Sequence, residues 1–205
     1  MNVLLGVSGS MLGFYLNELI DFLDTAGHEV KVVMTAGGDA FCLREHISVE
    51  IYKDENIYKL PFESGNVLLP LTLVNWADIL VIVPISANTL AKISTGMADN
   101  LLTMVVRDWN REKPLVLVPC MSKNAWKNPL TREQLDVVRR IFKVRVIEPQ
   151  IHEMGSGNIV FGDFSTVVSA IKPFTSEEDC ALHGCQWQKG DDGYSCARCL
   201  QKMNS

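Results

Sequence analysis

The sequence predicts an α/β fold, a doubly wound parallel sheet with helices on both faces, followed by a small Cys-rich appendage. Short apolar runs at 3–7, 30–34, 79–83, 114–118 and 144–147 alternate with stretches of helical period, the pattern of strands joined through crossover helices. Small polar clusters, Ser8-Gly9-Ser10 and Thr35-Ala36-Gly37, stand where two of those runs end. Four of the six cysteines fall in the last twenty-six residues, so the end of the chain is chemically unlike the rest.

The first strand, 3–7, gives way through Ser8-Gly9-Ser10 to a helix over 11–26, where Leu12, Leu16, Leu19, Ile20 and Leu23 recur at helical spacing. Gly27 stops it. The second strand, 30–34, leads through Thr35-Ala36-Gly37 into a helical patch around Phe41. Two βα turns rich in Ser, Thr and Gly suit an anion, because their amides can approach it closely. Neither turn has the G-x-G-x-x-G dinucleotide pattern, and ordinary tight turns use the same residues. Residues 49–52 are strand-like, and the remainder of 48–75 is expected to be a loop or flap, with Pro61 and Pro70 interrupting it.

The most apolar run, 79–83, delivers residues 84–103, Pro-Ile-Ser-Ala-Asn-Thr-Leu-Ala-Lys-Ile-Ser-Thr-Gly-Met-Ala-Asp-Asn-Leu-Leu-Thr. Ser86, Asn88 and Thr89 stand where a buried strand ends and a helix begins, the position at which open α/β sheets bind ligands. They can equally cap the helix. That helix runs toward Ser94 and breaks at Gly96, and another covers 100–109. A fourth strand, 114–118, precedes Pro119-Cys120-Met121. Thr131 and Gln134 have the spacing of a capping box for a helix reaching Phe142. After a fifth strand at 144–147, residues 151–162 read as a Gly-rich loop and 163–171 as the last helix of the body.

At 205 residues the chain holds one well-buried domain and a small appendage. Hydrophobic residues make up 47% and charged residues 21%, an ordinary globular balance. A net charge of −5 argues against a surface built to neutralise nucleic-acid phosphates. No apolar run is long enough to cross a bilayer, and no charged leader precedes the first strand, so a cytoplasmic protein is expected.

Residues 84–103 resemble the Pro-x-Ser-Ala-Asn-Thr block of the flavin-containing cysteine decarboxylases, the family of phosphopantothenoylcysteine decarboxylase and of the peptidyl-cysteine decarboxylases of lantibiotic maturation. The likeness includes Lys92, Gly96, Ala98, Asp99, Asn100, Leu101, Leu102 and Thr103. It extends over about residues 2–170 through Gly9-Ser10, Thr35, Trp76-Ala77-Asp78, and Pro119 with Met121 and Trp126. The resemblance implies a flavodoxin-like (Rossmann-like) subunit that binds FMN near subunit boundaries and assembles as trimers. Carried over, Gly9, Ser10 and Met11 approach the FMN, Thr35, Ala36 and Gly37 form its second turn, Ser86, Ala87, Asn88 and Thr89 line it, and Cys120 lies beside it.

The catalytic residues depart from that pattern. The family's His, which opens a His-x-x-Leu segment before Trp-Ala-Asp, corresponds to Pro70, and proline transfers no proton. Of His28, His46, His152 and His183, His152 beside the Gly-rich stretch is the best substitute. The family's Pro-Ala-Met-Asn-x-x-Met-Trp reads Pro119-Cys-Met-Ser-Lys-Asn-Ala-Trp126 here. Ser122 replaces the substrate-gripping Asn, with Asn124 two residues on as a possible compensation. Lys123 either attracts a carboxylate or faces solvent. The pantothenate-pathway enzymes place a Cys in the late Gly-rich segment, and 151–162 has none, so the expected chemistry is that of the peptidyl-cysteine enzymes, releasing an enethiol and CO₂.

Beyond residues 1–172 and a linker at 173–179, the appendage at 180–205 carries Cys180, His183, Cys185, Cys196 and Cys199. Four of these five can close a tetrahedral Zn²⁺ site, with a hairpin turn at Gly190-Asp-Asp-Gly193 between them, giving a zinc-ribbon-like unit. So short a segment builds little apolar core, and metal would supply its folding energy. Its charges are balanced, so a protein contact or a structural role is expected in preference to nucleic acid. The leading expectation is an FMN-dependent oxidative decarboxylase of a cysteine-type carboxylate. Other readings are an FMN-binding regulatory or assembly subunit without the chemistry, the zinc appendage recruiting a partner, and a flavin prenyltransferase-like enzyme.

Overall fold

The computed structural model describes residues 1–10, 16–42, 47, 49–57, 68–154, 157–161, 164–171, 188–190 and 193–195. Two compact units divide the chain, Met1–Ile171 and Lys172–Ser205. In the first, β1 (Asn2–Val7), β2 (Glu29–Met34), β3 (Glu50–Tyr52), β4 (Ile79–Ile85), β5 (Leu115–Ser122) and β6 (Val144–Val146) are parallel, in the order β3-β2-β1-β4-β5-β6. Their helices are α1 (Leu16–Thr25), α2 (Ala36–Phe41), α3 (Leu69–Trp76), α4 (Ala87–Thr95), α5 (Leu101–Arg107), α6 (Lys123–Lys127), α7 (Pro129–Ile141) and α8 (Phe164–Ala170).

Alternation along each strand explains why both faces are covered. Val3, Leu5 and Val7 of β1 join Leu16, Leu19, Ile20 and Leu23 of α1 and Val167 and Ala170 of α8 in one core. Leu4, one residue out of phase, belongs to the opposite core with Leu73, Leu90, Leu102, Val105 and Leu135. Each fully buried aliphatic side chain contributes about 1.5–3 kcal/mol. Such side chains on both faces make parallel strands read as unbroken apolar runs.

Three local expectations fail. Leu69–Trp76 forms α3, although 48–75 beyond the strand-like 49–52 is expected to be a loop or flap. Pro70 lies in its first turn, where its missing N–H has no helical partner to lose. The other end of α3 is held from far away in sequence. The Lys113 ammonium donates to Val74 O at 2.8 Å and Ala77 O at 2.7 Å. Within the stretch expected to be a Gly-rich loop, the described residues 151–154 and 157–161 are strand. β7 (Gln150–Met154) and β8 (Gly157–Phe161) pair antiparallel, and β8 pairs antiparallel with Cys120–Ser122. β5 is therefore shared, its first half pairing with β6 and its last residues with β8. Finally, Thr131 does not cap α7. Asn128 does, accepting Leu130 N–H at 3.0 Å, and the Thr131 hydroxyl donates to Ala125 O at 2.6 Å.

In the second unit, β9 (Gln188–Gly190) and β10 (Gly193–Ser195) pair antiparallel with Gly190 opposite Gly193, the hairpin expected around Asp191-Asp192. Cys180, His183, Cys185, Cys196 and Cys199 lie outside the described residues.

Candidate functional site

Chain direction across the sheet reverses between β1 and β4. From β1 the chain winds outward through β2 and β3, then returns to β4 on the other side of β1 and winds outward through β5. That is a topological switch point, the place where open α/β sheets bind ligands beyond the carboxyl ends of their strands. The ends of β2, β1, β4 and β5 carry, in that spatial order, Thr35-Ala36-Gly37, Ser8-Gly9-Ser10, Ser86-Ala87-Asn88-Thr89 and Cys120-Met121-Ser122. The sequence-derived cofactor residues are thus gathered at one end of the sheet. Met11 lies outside the described residues.

The first two turns meet backbone to backbone. A Cβ placed on Gly9 would lie 3.1 Å from the Gly37 Cα, and one on Gly38 would lie 2.5 Å from Val7 O. Larger residues would part the turns, so the glycines supply close approach as well as open amides. Thr35 fixes the second turn by accepting the Gly38 N–H on Oγ1 at 3.1 Å, while its own N–H donates to Val7 O at 3.0 Å. Ser86 caps α4 in the same way, accepting the Thr89 N–H at 3.2 Å. Capping and ligand binding are compatible, since the cap leaves other first-turn amides without helical partners. Ala36, Gly37 and Asn88 are exposed, Gly9, Ser10, Ser86 and Ala87 are half-buried, and Thr89 and Cys120 are buried.

Not all of residues 84–103 faces this end. Gly96, at φ 74°, ends α4 and donates its N–H to Ile93 O, with Met97 N–H donating to Lys92 O. Lys92 bonds Asp99 at 2.6 Å, and that hydrogen bond is the main cause holding the Asp99 carboxyl below its usual value. Asn100 and Thr103 then form a reciprocal capping box at the start of α5, whose first amide, Leu101 N–H, donates to Asp54 at 2.8 Å. Residues 96–103 therefore build the corner between two helices.

Ser122 is exposed at the end of β5 and caps α6, its Oγ accepting Ala125 N–H at 3.2 Å. Its hydroxyl hydrogen remains free of that role, so one donor is available to a ligand. Asn124 is exposed on α6 and Lys123 half-buried beside it. Pro70 is buried in the first turn of α3. His28 lies 3.5 Å from the terminal amine, where β2 begins, at the opposite end of the sheet. His152 is a strand residue of β7, in register with Ile159. His46 and His183 lie outside the described residues.

Ser8 escaped the sequence reading except as punctuation. It is completely buried and bonded across the switch point to Pro84 and Ser86. Its position as the first hydroxyl after an apolar run was the only available signal. A concavity of about 460 Å³ lined by Gly96, Met97, Arg107, Trp109 and Phe142 lies at the ends of α4, α5 and α7, away from these turns. Among the described residues no cluster of metal-ligating side chains occurs, and no helix is long and apolar enough to cross a membrane.

The Flavoprotein family matches residues 1–176. The phosphopantothenoylcysteine decarboxylase of Mus musculus is similar at 37% identity over 134 residues, covering 65% of this chain and 66% of that protein; the match spans just under two thirds of that relative's length. A solved PPC decarboxylase variant complexed with pantothenoylaminoethenethiol is 34% identical with a TM-score of 0.77, covering 83% of this chain and 95% of its own. A solved FMN binding protein is 33% identical with a TM-score of 0.75, covering 83% and 94%.

Proposed function

The chain belongs to the Flavoprotein family of flavin-containing cysteine decarboxylases, and from that premise we propose that it binds FMN at the strand-end turns and oxidatively decarboxylates a cysteine-type carboxylate, such as the C-terminal cysteine of a peptide. The observation that carries the reading is the convergence of four turns at the switch point. Residues 8–10, 35–37, 86–89 and 120–122 include no acidic side chain, so nothing among them repels a phosphate. The Gly9–Gly37 approach leaves bare backbone between the two turns, and the hydroxyls and amides around it match a phosphate and the polar edge of a flavin.

FMN, when bound, supplies the two-electron oxidation of the thiol-bearing carbon that makes the neighbouring carboxylate a good electron-releasing group. The chain's residues bind and orient. Gly9, Ser10, Thr35, Ala36, Gly37, Ser86, Ala87, Asn88 and Thr89 would hold the cofactor, and buried Cys120 would offer it a soft contact. Ser122 offers one hydroxyl donor to the substrate carboxylate, Asn124 a second group, and Lys123 positive charge. Pro70 can take no proton, so the rate should lack the titration near neutrality that a histidine base imposes.

Incubation with cysteine-terminated peptides tests this directly. Loss of CO₂ and two hydrogens, seen by mass spectrometry with FMN reduction, is expected; a purified protein that rejects FMN would sink the premise. A second reading, an FMN-binding regulatory or assembly subunit without turnover, is favoured by the burial of Pro70 and by the use of Ser122 as a cap. FMN retention with no product from any thiol carboxylate would select it.

The family likeness also supports a homotrimer, which light scattering would show. For the appendage, four ligands from Cys180, His183, Cys185, Cys196 and Cys199 would hold Zn²⁺, supported by the hairpin between the two cysteine groups. Zinc should be present in the full chain and absent after truncation before Cys180.

A further inference from the structure

We infer that Ser8 is a positioning residue for the cofactor turns, a hydrogen-bonded tie across the switch point on which FMN affinity depends. The inference rests on the proposed FMN reading and deepens it, since Ser8 acts through Ser86 without being required to touch the ligand.

The need for a tie comes from where the ladders stop. β1 pairs with β4 in register only as far as Gly6 opposite Ile82. On the other side, the β4–β5 register shifts between Ile82 and Ile85, and Pro84 has no N–H to give. Val83 and Pro84, just before Ile85 and Ser86, are therefore outside both registers. Ser8 supplies what is missing. Its hydroxyl donates to Pro84 O at 2.9 Å, its backbone N–H donates to the same oxygen at 3.2 Å, and its Oγ accepts Ser86 N–H at 2.8 Å.

The tie continues outward. Ser86 Oγ accepts Thr89 N–H and lies 3.2 Å from the Thr89 hydroxyl, so one buried hydroxyl sets the spacing between Ser8-Gly9-Ser10 and the first turn of α4. A side chain that only filled space would leave the Ser86 N–H without its partner. Alanine at position 8 keeps the backbone bond to Pro84 and loses both hydroxyl bonds. Threonine keeps a hydroxyl.

The experiment uses the full chain with Ser8→Ala and Ser8→Thr, measuring FMN affinity by flavin fluorescence, apoprotein melting, and hydrogen exchange at the Ser86 amide. Ser8→Ala should weaken FMN binding by at least about tenfold, the low end of what two buried hydrogen bonds lost together would cost, and should speed Ser86 exchange. Ser8→Thr should restore affinity to within about threefold of wild type, a difference below one hydrogen bond. Wild-type affinity in Ser8→Ala, or an affinity loss that Ser8→Thr shares in full, would overturn the inference. So would unchanged Ser86 exchange. If wild-type protein binds no FMN, the proposed function fails, while the exchange measurement still decides whether the tie exists.

Discussion

Replacing Gly38 with alanine places a methyl carbon where the end of β1 already lies. The added Cβ would stand 2.5 Å from Val7 O and 3.0 Å from Val7 C, when ordinary contact begins at 3.4 Å. Both obstructing atoms are backbone, and Val7 O is engaged by Thr35 N–H at 3.0 Å. Relief requires α2 to withdraw from β1 and stretch that bond. Overpacking costs about 1–3 kcal/mol and a weakened buried hydrogen bond about 0.5–1.5 kcal/mol, so the expected loss is about 2–4 kcal/mol out of a typical total of about 5–15 kcal/mol. Urea unfolding of the apoprotein, followed by circular dichroism, reads that loss as a lower midpoint with an unchanged slope. Gly27→Ala is the control. At φ 79° with nothing within 4 Å, it isolates the backbone cost of about 1–2 kcal/mol. FMN affinity should fall in Gly38→Ala, whose change moves the Thr35–Gly37 turn, and hold in Gly27→Ala. A Gly38→Ala protein no less stable than Gly27→Ala, with wild-type FMN affinity, would refute the reasoning.

Lys113→Met should cost about 1.5–3 kcal/mol in the same unfolding assay, because two charge-assisted bonds to the α3 carbonyls disappear. Thr35→Ala should lose about 1 kcal/mol of cap, and Thr35→Ser should retain most of it. The Asp99 carboxyl, lowered chiefly by the Lys92 hydrogen bond, contributes stability above its unfolded value of 3.8 and loses it as pH falls through the depressed folded value. The melting difference between wild type and Asp99→Asn should therefore be present at neutral pH and vanish in strong acid; a difference unchanged at acid pH would contradict the pairing. With cysteine-terminated peptide, turnover between pH 6 and 8 should show no inflection of the histidine kind, and a clear one near the unperturbed imidazole value of about 6.5 would mean that a histidine serves as base after all.

Burial on both faces made the strands legible, because β1, β2, β4 and β5 appear as apolar runs without any knowledge of their neighbours. Small polar residues after those runs marked the turns, and the alternation of strand and helix predicted a parallel sheet, whose carboxyl ends lie on one side. Elements whose stability comes from elsewhere were hidden. α3 carries a proline in its first turn and is held at its far end by Lys113, 36 residues beyond Ala77, so its local pattern looks like a loop. The β7–β8 hairpin is glycine-rich in sequence, and its place beside Cys120–Ser122 depends on the half of β5 that β6 leaves unpaired.

For the candidate site, residue types alone determined a phosphate-tolerant set of turns, and the family resemblance set Pro70 where the family carries its histidine. Tertiary structure decided which residues do what. Residues 84–103 read as a single ligand block, yet Ser86–Thr89 stands at the strand ends while Gly96–Thr103 folds into the corner between α4 and α5. Only the packed sheet brings Ser8 within hydrogen-bond reach of Ser86, 78 residues away. The physical reason is that propensity and periodicity act over one or two turns of chain, whereas a hydrogen bond between strand ends exists only after the intervening β2, β3 and α3 have folded and returned the chain to β1's other edge.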